Sequence, residues 1–430
     1  MMAPLRVAIA GLGTVGAAVA DILTTREELI AARCGRKIEI VAVSARDRTR
    51  DRGVDLSAVD WFDDAAAMAT EADADVILEL IGGEDGIAKA VCENAIRAGR
   101  HVVTANKALL AIHGTALARA AEDANVALGY EASVAGGIPV IKALREGFAG
   151  NRISSIHGIL NGTCNYILTT MRETGRDFDD VLSEAQALGY AEADPTFDVD
   201  GIDAAHKLAL LASVAFGTEA DFPAVHVEGI RHISADDIAF ADELGYRIKL
   251  LGIANRTDDG IEQRVYPCMV PMDAPLAHVE GVFNAVVAEG DAVGTSVLQG
   301  RGAGAGPTAS AVISDVADIA RGAILPVFSV PASQLTKSET VSLDSRTGPY
   351  YVRLTVLDRP GVIADVSAAL RDEEVSVEAL LQRGRSEEGS VPVVLTLHET
   401  VEANVQRALA RIGDLDTVVE PPCMIRIEHL

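Results

Sequence analysis

The chain has 430 residues, 49% of them apolar, and carries a formal net charge of −26. That length holds two or three domains with real cores, and the apolar share excludes disorder as a description of the whole chain. The acidic balance disfavours nucleic acid and anionic membranes as partners, and no uncharged apolar run reaches the roughly 18 residues that suggest a membrane span.

Cys34, Cys92, Cys164, Cys268 and Cys423 are scattered, with no Cys-x-x-Cys pair. This argues against structural zinc and a disulfide framework, and for a reducing, cytoplasmic setting. The first ordered stretch runs from Val7 to Gly16. It reads as a short apolar strand, a Gly-x-Gly-x-x-Gly turn and the opening of a helix through Ala17–Ala20. In a dinucleotide site Gly11 permits the tight turn, Gly13 the close approach of a pyrophosphate, and Gly16 the packing of helix against strand. Leu12, Thr14 and Val15 complete this candidate cofactor loop, and the helix N-terminus offers free N–H groups to the phosphates. A secretory signal starting at Arg6 is the rival reading. It is rejected, because glycines at 11, 13 and 16 make a poor apolar core.

Lys37–Ser44 is β-branched and apolar, a second strand. An NAD-specific site places an acidic side chain at this strand's end. Here Ser44 and Arg46 stand there instead, which suits a 2′-phosphate and favours NADP, with NAD still possible. Arg48 and Arg50 read as exposed loop charges. Ala74–Leu80 and His101–Thr104 are further strands, each followed by a helix. Strands alternating with helices imply an α/β fold with a doubly wound parallel sheet, whose ligands sit at the strands' carboxyl ends. Lys107 falls at such an end, either as a ligand contact or as a solvated surface lysine. After the strand Val126–Tyr130 come Glu131, Val134, Gly136 and Ile138. The adjacent glycines suggest a backbone turned to present carbonyls to a monovalent cation; an ordinary domain-crossing loop is the alternative.

A second, α+β region begins near Pro139. Ile153–Leu160 reads as a strand, Asn161–Tyr166 as a turn entering a helix, and Asp179–Leu188 as an amphipathic helix stopped by Gly189. The loop Tyr190–Asp200 is dense in carboxylates, among them Glu192 and Asp198. In the following helix Asp203 and Lys207 are four apart and share a face. An exposed pair of this kind is worth only about a few tenths of a kcal/mol. But Leu208–Ala215 is apolar nearly all round, so the helix is buried and Lys207 sits at the rim of a pocket, where it can donate a proton. Val265–Val270 and Phe283–Ala288 read as strands. Gln299–Thr308 is a second glycine-rich loop, through Gly304 either a cover over the cofactor or a flexible connector.

Residues 331–349 read as a linker. Beyond it Tyr350–Leu357, a helix ending near Glu374, a hairpin of Val375–Arg383 and Val391–Leu397 around a glycine-bearing turn, the helix Val401–Ile412 and the strand Thr417–Ile427 give the order βαββαβ. That is a small ferredoxin-like sandwich. The expected organisation is therefore a dinucleotide-binding domain over 1–137, a substrate and dimerisation domain over 138–330 whose last helix packs back on the first, and a regulatory unit over 350–430.

The stretches Thr104-Ala105-Asn106-Lys107, Asn161-Gly162-Thr163-Cys164-Asn165-Tyr166 and Leu188–Lys207, with this domain order, resemble the homoserine dehydrogenases. The last unit resembles an ACT domain, Asp358-Arg359-Pro360-Gly361 matching its first turn. The resemblance implies reversible hydride transfer between NAD(P)H and L-aspartate 4-semialdehyde, giving L-homoserine on the way to threonine, methionine and isoleucine. It implies Lys207 as proton donor, with Asp203 beside the substrate and Lys107 between cofactor and substrate. It further implies that Glu192 holds the substrate's ammonium group with Asp198 in support, that Gly189 and Thr104 lie on the cofactor side, and that Glu131, Val134, Gly136 and Ile138 form a sodium site. Threonine feedback at the ACT unit and a homo-oligomer, dimer or tetramer, follow by analogy.

Three rivals are weighed against it. Another Rossmann oxidoreductase of a small carbonyl compound has no need of Glu192, and a non-catalytic amino-acid sensor has no need of Lys207. A bifunctional kinase–dehydrogenase is not expected, since the glycine motif begins at Gly11.

Overall fold

The computed structural model describes residues 3–383 and 389–430. Its first layer is a six-stranded parallel sheet of β1 (Leu5–Ala10), β2 (Ile38–Ser44), β3 (Asp60–Phe62), β4 (Val76–Glu79), β5 (His101–Thr104) and β6 (Leu128–Gly129). The strands lie in the order β3-β2-β1-β4-β5-β6, so the direction of winding reverses between β1 and β4. A crevice at such a reversal is where doubly wound sheets bind ligands. Helices α1 (Thr14–Thr25), α2 (Glu27–Cys34), α3 (Ala65–Glu71), α4 (Ile87–Arg97) and α5 (Lys107–Asp123) cover its faces. Val7, Ile9, Ile77 and Leu78 are fully buried, as central strands covered on both sides must be.

The second region runs through α6 (Val140–Lys142), β7 (Ile153–Ile159), α7 (Gly162–Thr174), α8 (Phe178–Ala187), α9 (Thr196–Val199), α10 (Ile202–Phe216), β8 (His226–Val227), α11 (Ala235–Glu243), β9 (Tyr246–Thr257), β10 (Gly260–Pro271), β11 (Phe283–Gly290), β12 (Gly294–Arg301) and α12 (Ala305–Ala320). As its apolar circumference implies, α10 is buried along almost its whole length. α12 returns to the first layer: Ala309, Val312 and Val316 share a core with Val7 and Val19.

The predicted βαββαβ unit is β13 (Thr347–Leu357), α13 (Val362–Asp372), β14 (Val377–Gln382), β15 (Ser390–Val401), α14 (Glu402–Gly413) and β16 (Cys423–Ile427). The turn expected between the hairpin strands falls at 384–388, outside the described residues. The sequence treats this unit as a separate body behind a linker. In the structure β16 pairs in parallel with β10 through Cys268–Arg426 and Met269–Ile427, while its other edge pairs with β13. The two regions thus share one ten-stranded sheet in the order β12-β11-β7-β9-β10-β16-β13-β15-β14, with β8 beside β10.

Other differences have simple causes. β9 is buried on both faces from Ile248 to Ala254, with Lys249 among the buried residues, so it lacks the alternation that marks a strand. β12 extends to Arg301, which shortens the second glycine-rich loop to Gly302–Gly304. Among the described residues no helix is long and apolar enough to cross a membrane. All five cysteines are free and buried.

Candidate active site

A cleft of about 570 Å³ opens where the winding reverses, with Val15 and Ala105 on one wall and Asp203 and Lys207 on the other. The glycine turn shapes its cofactor end. Gly11 has φ 100°, and a Cβ there would stand 2.6 Å from the Leu80 carbonyl oxygen. A Cβ on Gly16 would stand 1.9 Å from the Gly11 oxygen, so helix and turn could not close. Gly13 faces open space, with nothing within 4 Å of such an atom. The N-cap of α1 is Gly13, which has no side chain to occupy the first N–H groups, so Thr14 and Val15 present theirs to a ligand. Room for a pyrophosphate at Gly13 and uncommitted N–H donors around it are what a dinucleotide needs.

Around that turn the Ser44 carbonyl accepts from Gly11 N–H at 2.9 Å, and the Arg52 Nε donates to the Leu12 carbonyl at 3.2 Å. Ser44 is buried beneath the turn. Arg46 is exposed and has no ion pair or hydrogen bond among the described residues. Arg48 and Arg52 flank the Trp61 ring at 5.6 and 5.5 Å. Thr104 is wholly buried off the cleft wall, and its hydroxyl donates to Glu79 Oε2 at 2.6 Å. Glu79 Oε1 in turn accepts from the N–H groups of Ile81 and Gly82, fixing the turn after β4. Ala105 and Ser133 line the cleft instead.

The other wall is built on α10. Lys207 Nζ donates to Asp203 Oδ2 at 2.6 Å and to the Leu160 carbonyl at 2.7 Å. Two of its three N–H bonds are thereby spent and one remains for a ligand. Lys107, at the start of α5, places Nζ 3.1 Å from Asp203 Oδ1. Asn161 ties the group together: its Nδ2 donates to Asp198 Oδ1 at 2.8 Å and to Asp203 Oδ2 at 2.9 Å, while its Oδ1 caps α7 by accepting from Cys164 N–H. Burial pushes the Asp203 carboxyl up, but the two lysine ammoniums and Asn161 outweigh it and hold the group well below the usual carboxylate range. Asp198 goes the other way, raised by burial and by the charge of Asp203. Glu192 is exposed at the mouth, its carbonyl held by Gln186 Nε2 at 3.0 Å, with Gly189 and Gly304 also lining the cleft.

The candidate cation loop lies beneath. Ala135 and Gly136 both have positive φ, 55° and 52°, and the carbonyl oxygens of Val134 and Gly136 accept no hydrogen bond among the described residues. The Ile138 carbonyl accepts from Val140 N–H at 2.8 Å. The Glu131 carboxylate is 1% exposed and accepts from Ile141 and Lys142 N–H, each at 2.9 Å. Burial, and then the neighbouring Asp315, push it up to about 7. A buried carboxylate of this kind beside unused carbonyls fits a hard monovalent cation.

Three contributors escape the sequence reading. Asn161 could be placed as a helix cap from its position before α7, but not as the bridge between two carboxylates far along the chain. Arg52 carried no signal. Asn284 did: it is a lone amide in the apolar strand β11. It lines the cleft at 1% exposure, with neither amide atom bonded among the described residues.

A nucleotide turn and a lysine–carboxylate cluster facing each other across one cleft define a dinucleotide-dependent oxidoreductase. The family profile described as homoserine dehydrogenase matches residues 139–317, its NAD-binding domain 11–131, and the ACT domain 350–416. The homoserine dehydrogenases of Neisseria gonorrhoeae and Pseudomonas aeruginosa are 46% and 45% identical to this chain, each over 100% of both proteins. The crystal structure of a homoserine dehydrogenase from Thiobacillus denitrificans superposes with a TM-score of 0.92 at 43% identity, over 99% of this chain and 98% of that one. That of S. aureus homoserine dehydrogenase at pH7.5 gives 0.77 at 30% identity, over 100% of both. The chain belongs to the homoserine dehydrogenase family and is an oxidoreductase of that activity, with an NAD(P)-binding Rossmann domain and a C-terminal ACT domain.

Proposed function

We propose that the protein reduces L-aspartate 4-semialdehyde to L-homoserine reversibly, with Lys207 as the proton donor, as a step towards threonine, methionine and isoleucine. The observation that carries this reading is Lys207, buried and bonded to Asp203 in the same cleft as the glycine turn. NADPH, when bound along Gly11–Gly16, supplies the hydride. The aldehyde oxygen then gathers negative charge, which Lys107 and Lys207 stabilise and Lys207 protonates. Asp203 keeps both lysines positioned. Glu192, at the mouth, pairs with the substrate's ammonium group, and Asp198 supports the Asp203–Lys207 pair through Asn161.

The preference for NADP rests on Ser44 and the unpaired Arg46 after β2. A hyperthermophilic archaeal homoserine dehydrogenase solved in complex with NADPH, 28% identical over 74% of this chain with a TM-score of 0.63, supports it. Glu131, Val134, Gly136 and Ile138 are the proposed sodium ligands, and threonine is the proposed effector of the ACT domain. A homo-oligomer is supported by the open outer edges of β12 and β14 at the two ends of the long sheet. A cytoplasmic location is supported by the free, buried cysteines.

The test is the initial rate of NADPH and of NADH consumption by purified protein with L-aspartate semialdehyde, with and without threonine. Turnover favouring NADPH is the expected result. Turnover with neither cofactor overturns the reaction, and equal rates with both overturn only the preference.

A further inference from the structure

We propose that Arg426, on β16 of the C-terminal domain, is a positioning residue for the substrate wall, acting through Glu228 on the α9 turn that carries Asp198. The proposal rests on the substrate-site reading above. It goes beyond it by making the regulatory domain a structural part of the catalytic site.

The connection is continuous. Arg426 is among the most buried side chains, 1% exposed, and stacks 4.4 Å over the Tyr266 ring. Its guanidinium meets Glu228 with both terminal nitrogens, NH1 to Oε2 and NH2 to Oε1, each at 2.8 Å. Nε donates to Glu402 Oε2 at 2.9 Å, on the first turn of α14. This bidentate fork fixes Glu228 in direction as well as distance.

Glu228 opens a segment laid directly on α9. Its own N–H donates to the Val265 carbonyl on β10. A Cβ on the next residue, Gly229, would stand 2.4 Å from the Val199 carbonyl oxygen and 2.6 Å from Asp200 Cα. Ile230 N–H donates to the Val199 carbonyl at 2.9 Å, and Arg231 Nε bonds Asp200 Oδ1 at 2.5 Å. On its other side the same short turn presents Asp198 to Asn161, and α10 with Asp203 and Lys207 starts just beyond it. The path from the Arg426–Glu228 fork to Asp198 therefore runs through Gly229–Arg231 and the backbone of Val199 and Asp200. The shared sheet keeps this geometry in register, because Arg426 is the residue opposite Cys268 where β16 joins β10.

A second buried ion pair between the same two domains serves as control. Arg353 on β13 bonds Asp237 on α11 at 2.7 and 3.1 Å, away from α9. The experiment is steady-state kinetics of the full chain, varying L-aspartate semialdehyde and NADPH separately, with melting temperatures for each variant. Arg426→Lys keeps the charge but loses the fork; Glu228→Gln, on a partly exposed side chain, removes the charge with little risk to folding. Each is expected to raise KM for the semialdehyde about ten-fold and leave KM for NADPH within about two-fold, and the double variant to do no more than the worse single one. Arg353→Lys is expected to lower the melting temperature without moving either KM. If Arg426→Lys does not fold, Glu228→Gln alone decides. An unchanged semialdehyde KM in the folded variants, or an equal rise in Arg353→Lys, overturns the proposal. Asp198→Asn is measured alongside: if it too leaves that KM unmoved, it is the substrate-site reading that fails.

Discussion

Asp203 and Glu131 are both carboxylates sunk in the protein, 5% and 1% exposed, and burial pushes both toward the neutral form. Their neighbours then move them in opposite directions. Asp203 meets two ammoniums and an amide N–H, at 2.6, 3.1 and 2.9 Å, and stays ionised far below the ordinary range. Glu131 has two backbone N–H donors but no cation in contact, and a second buried carboxylate, Asp315, bonds its own backbone N–H. The first cluster is a preformed charged device, which suits a step where negative charge develops on a substrate oxygen. The second is short of one positive charge. In a low-dielectric interior the number and contact distance of counter-charges, rather than burial itself, decide which role a carboxylate can take.

The largest effect should come from removing Lys207, the proposed proton donor of the first cluster. Lys207→Met preserves the buried stem and is expected to lower kcat by about a thousand-fold, in the range of general acid–base contributions. NADPH affinity, read by fluorescence titration, should stay within about two-fold, since the residue acts in the reaction rather than on the cofactor. A loss of kcat smaller than about ten-fold would remove Lys207 from the proton-transfer role. Asp203→Asn should follow with about a hundred-fold loss, the amide holding neither lysine as firmly. Because both act as one unit, the Asp203→Asn/Lys207→Met pair should lose little more than Lys207→Met alone. Additive losses would mean that the two side chains act independently and that the cluster is no unit.

How much of this could be read from the chain follows from the range of the interactions. The glycine turn and the Asp203–Lys207 pair are local, with fixed spacings of two and three residues in the one and four in the other, and both stand in the structure as the spacing implies. The buried character of α10 was visible in its composition. The roles proposed for Glu192 and Asp198 rest on resemblance alone; no spacing distinguishes them from the other acids of their loop. The Asn161 bridge joins groups that only the fold brings together, although its capping position was plain. β16 carries ordinary strand signals on an ordinary βαββαβ unit, and nothing in its pattern says that its second edge will find β10. A strand's sequence encodes which face is buried, not which neighbour supplies its hydrogen bonds.

The second cluster offers a pH test of the same contrast. A free glutamic acid side chain titrates near 4.5, whereas Glu131 in the fold is pushed up to about 7. The folded state therefore holds the proton more tightly than the unfolded state. The associated stability is complete below about pH 4.5 and is lost as pH rises through about 7, on the order of 3 kcal/mol in all. Asp315, raised to about 6, acts in the same direction. In choline chloride the melting temperature should fall between about pH 5 and 8. In sodium chloride at equal ionic strength the fall should be smaller, because a cation bound at Glu131 favours its ionised form. Glu131→Gln should abolish the difference between the salts. Identical curves in both salts would leave the loop without a cation.

Arg46 marks the far end of the scale. It is an exposed, unpaired charge after β2, and an exposed ionic contact contributes only about 0.2–1 kcal/mol. Arg46→Ala should therefore raise KM for NADPH only about two- to five-fold and leave KM for NADH unchanged, since only the 2′-phosphate gives the guanidinium a partner. The effect should shrink as salt is raised, because exposed charges are screened over about 8–10 Å at physiological ionic strength. The effect of Asp203→Asn, made around a carboxylate only 5% exposed, should shrink less. If the Arg46 effect survives high salt, the loop after β2 closes over the phosphate and buries the contact. The boundary between charged interior and screened surface would then lie further out than the exposure of Arg46 places it.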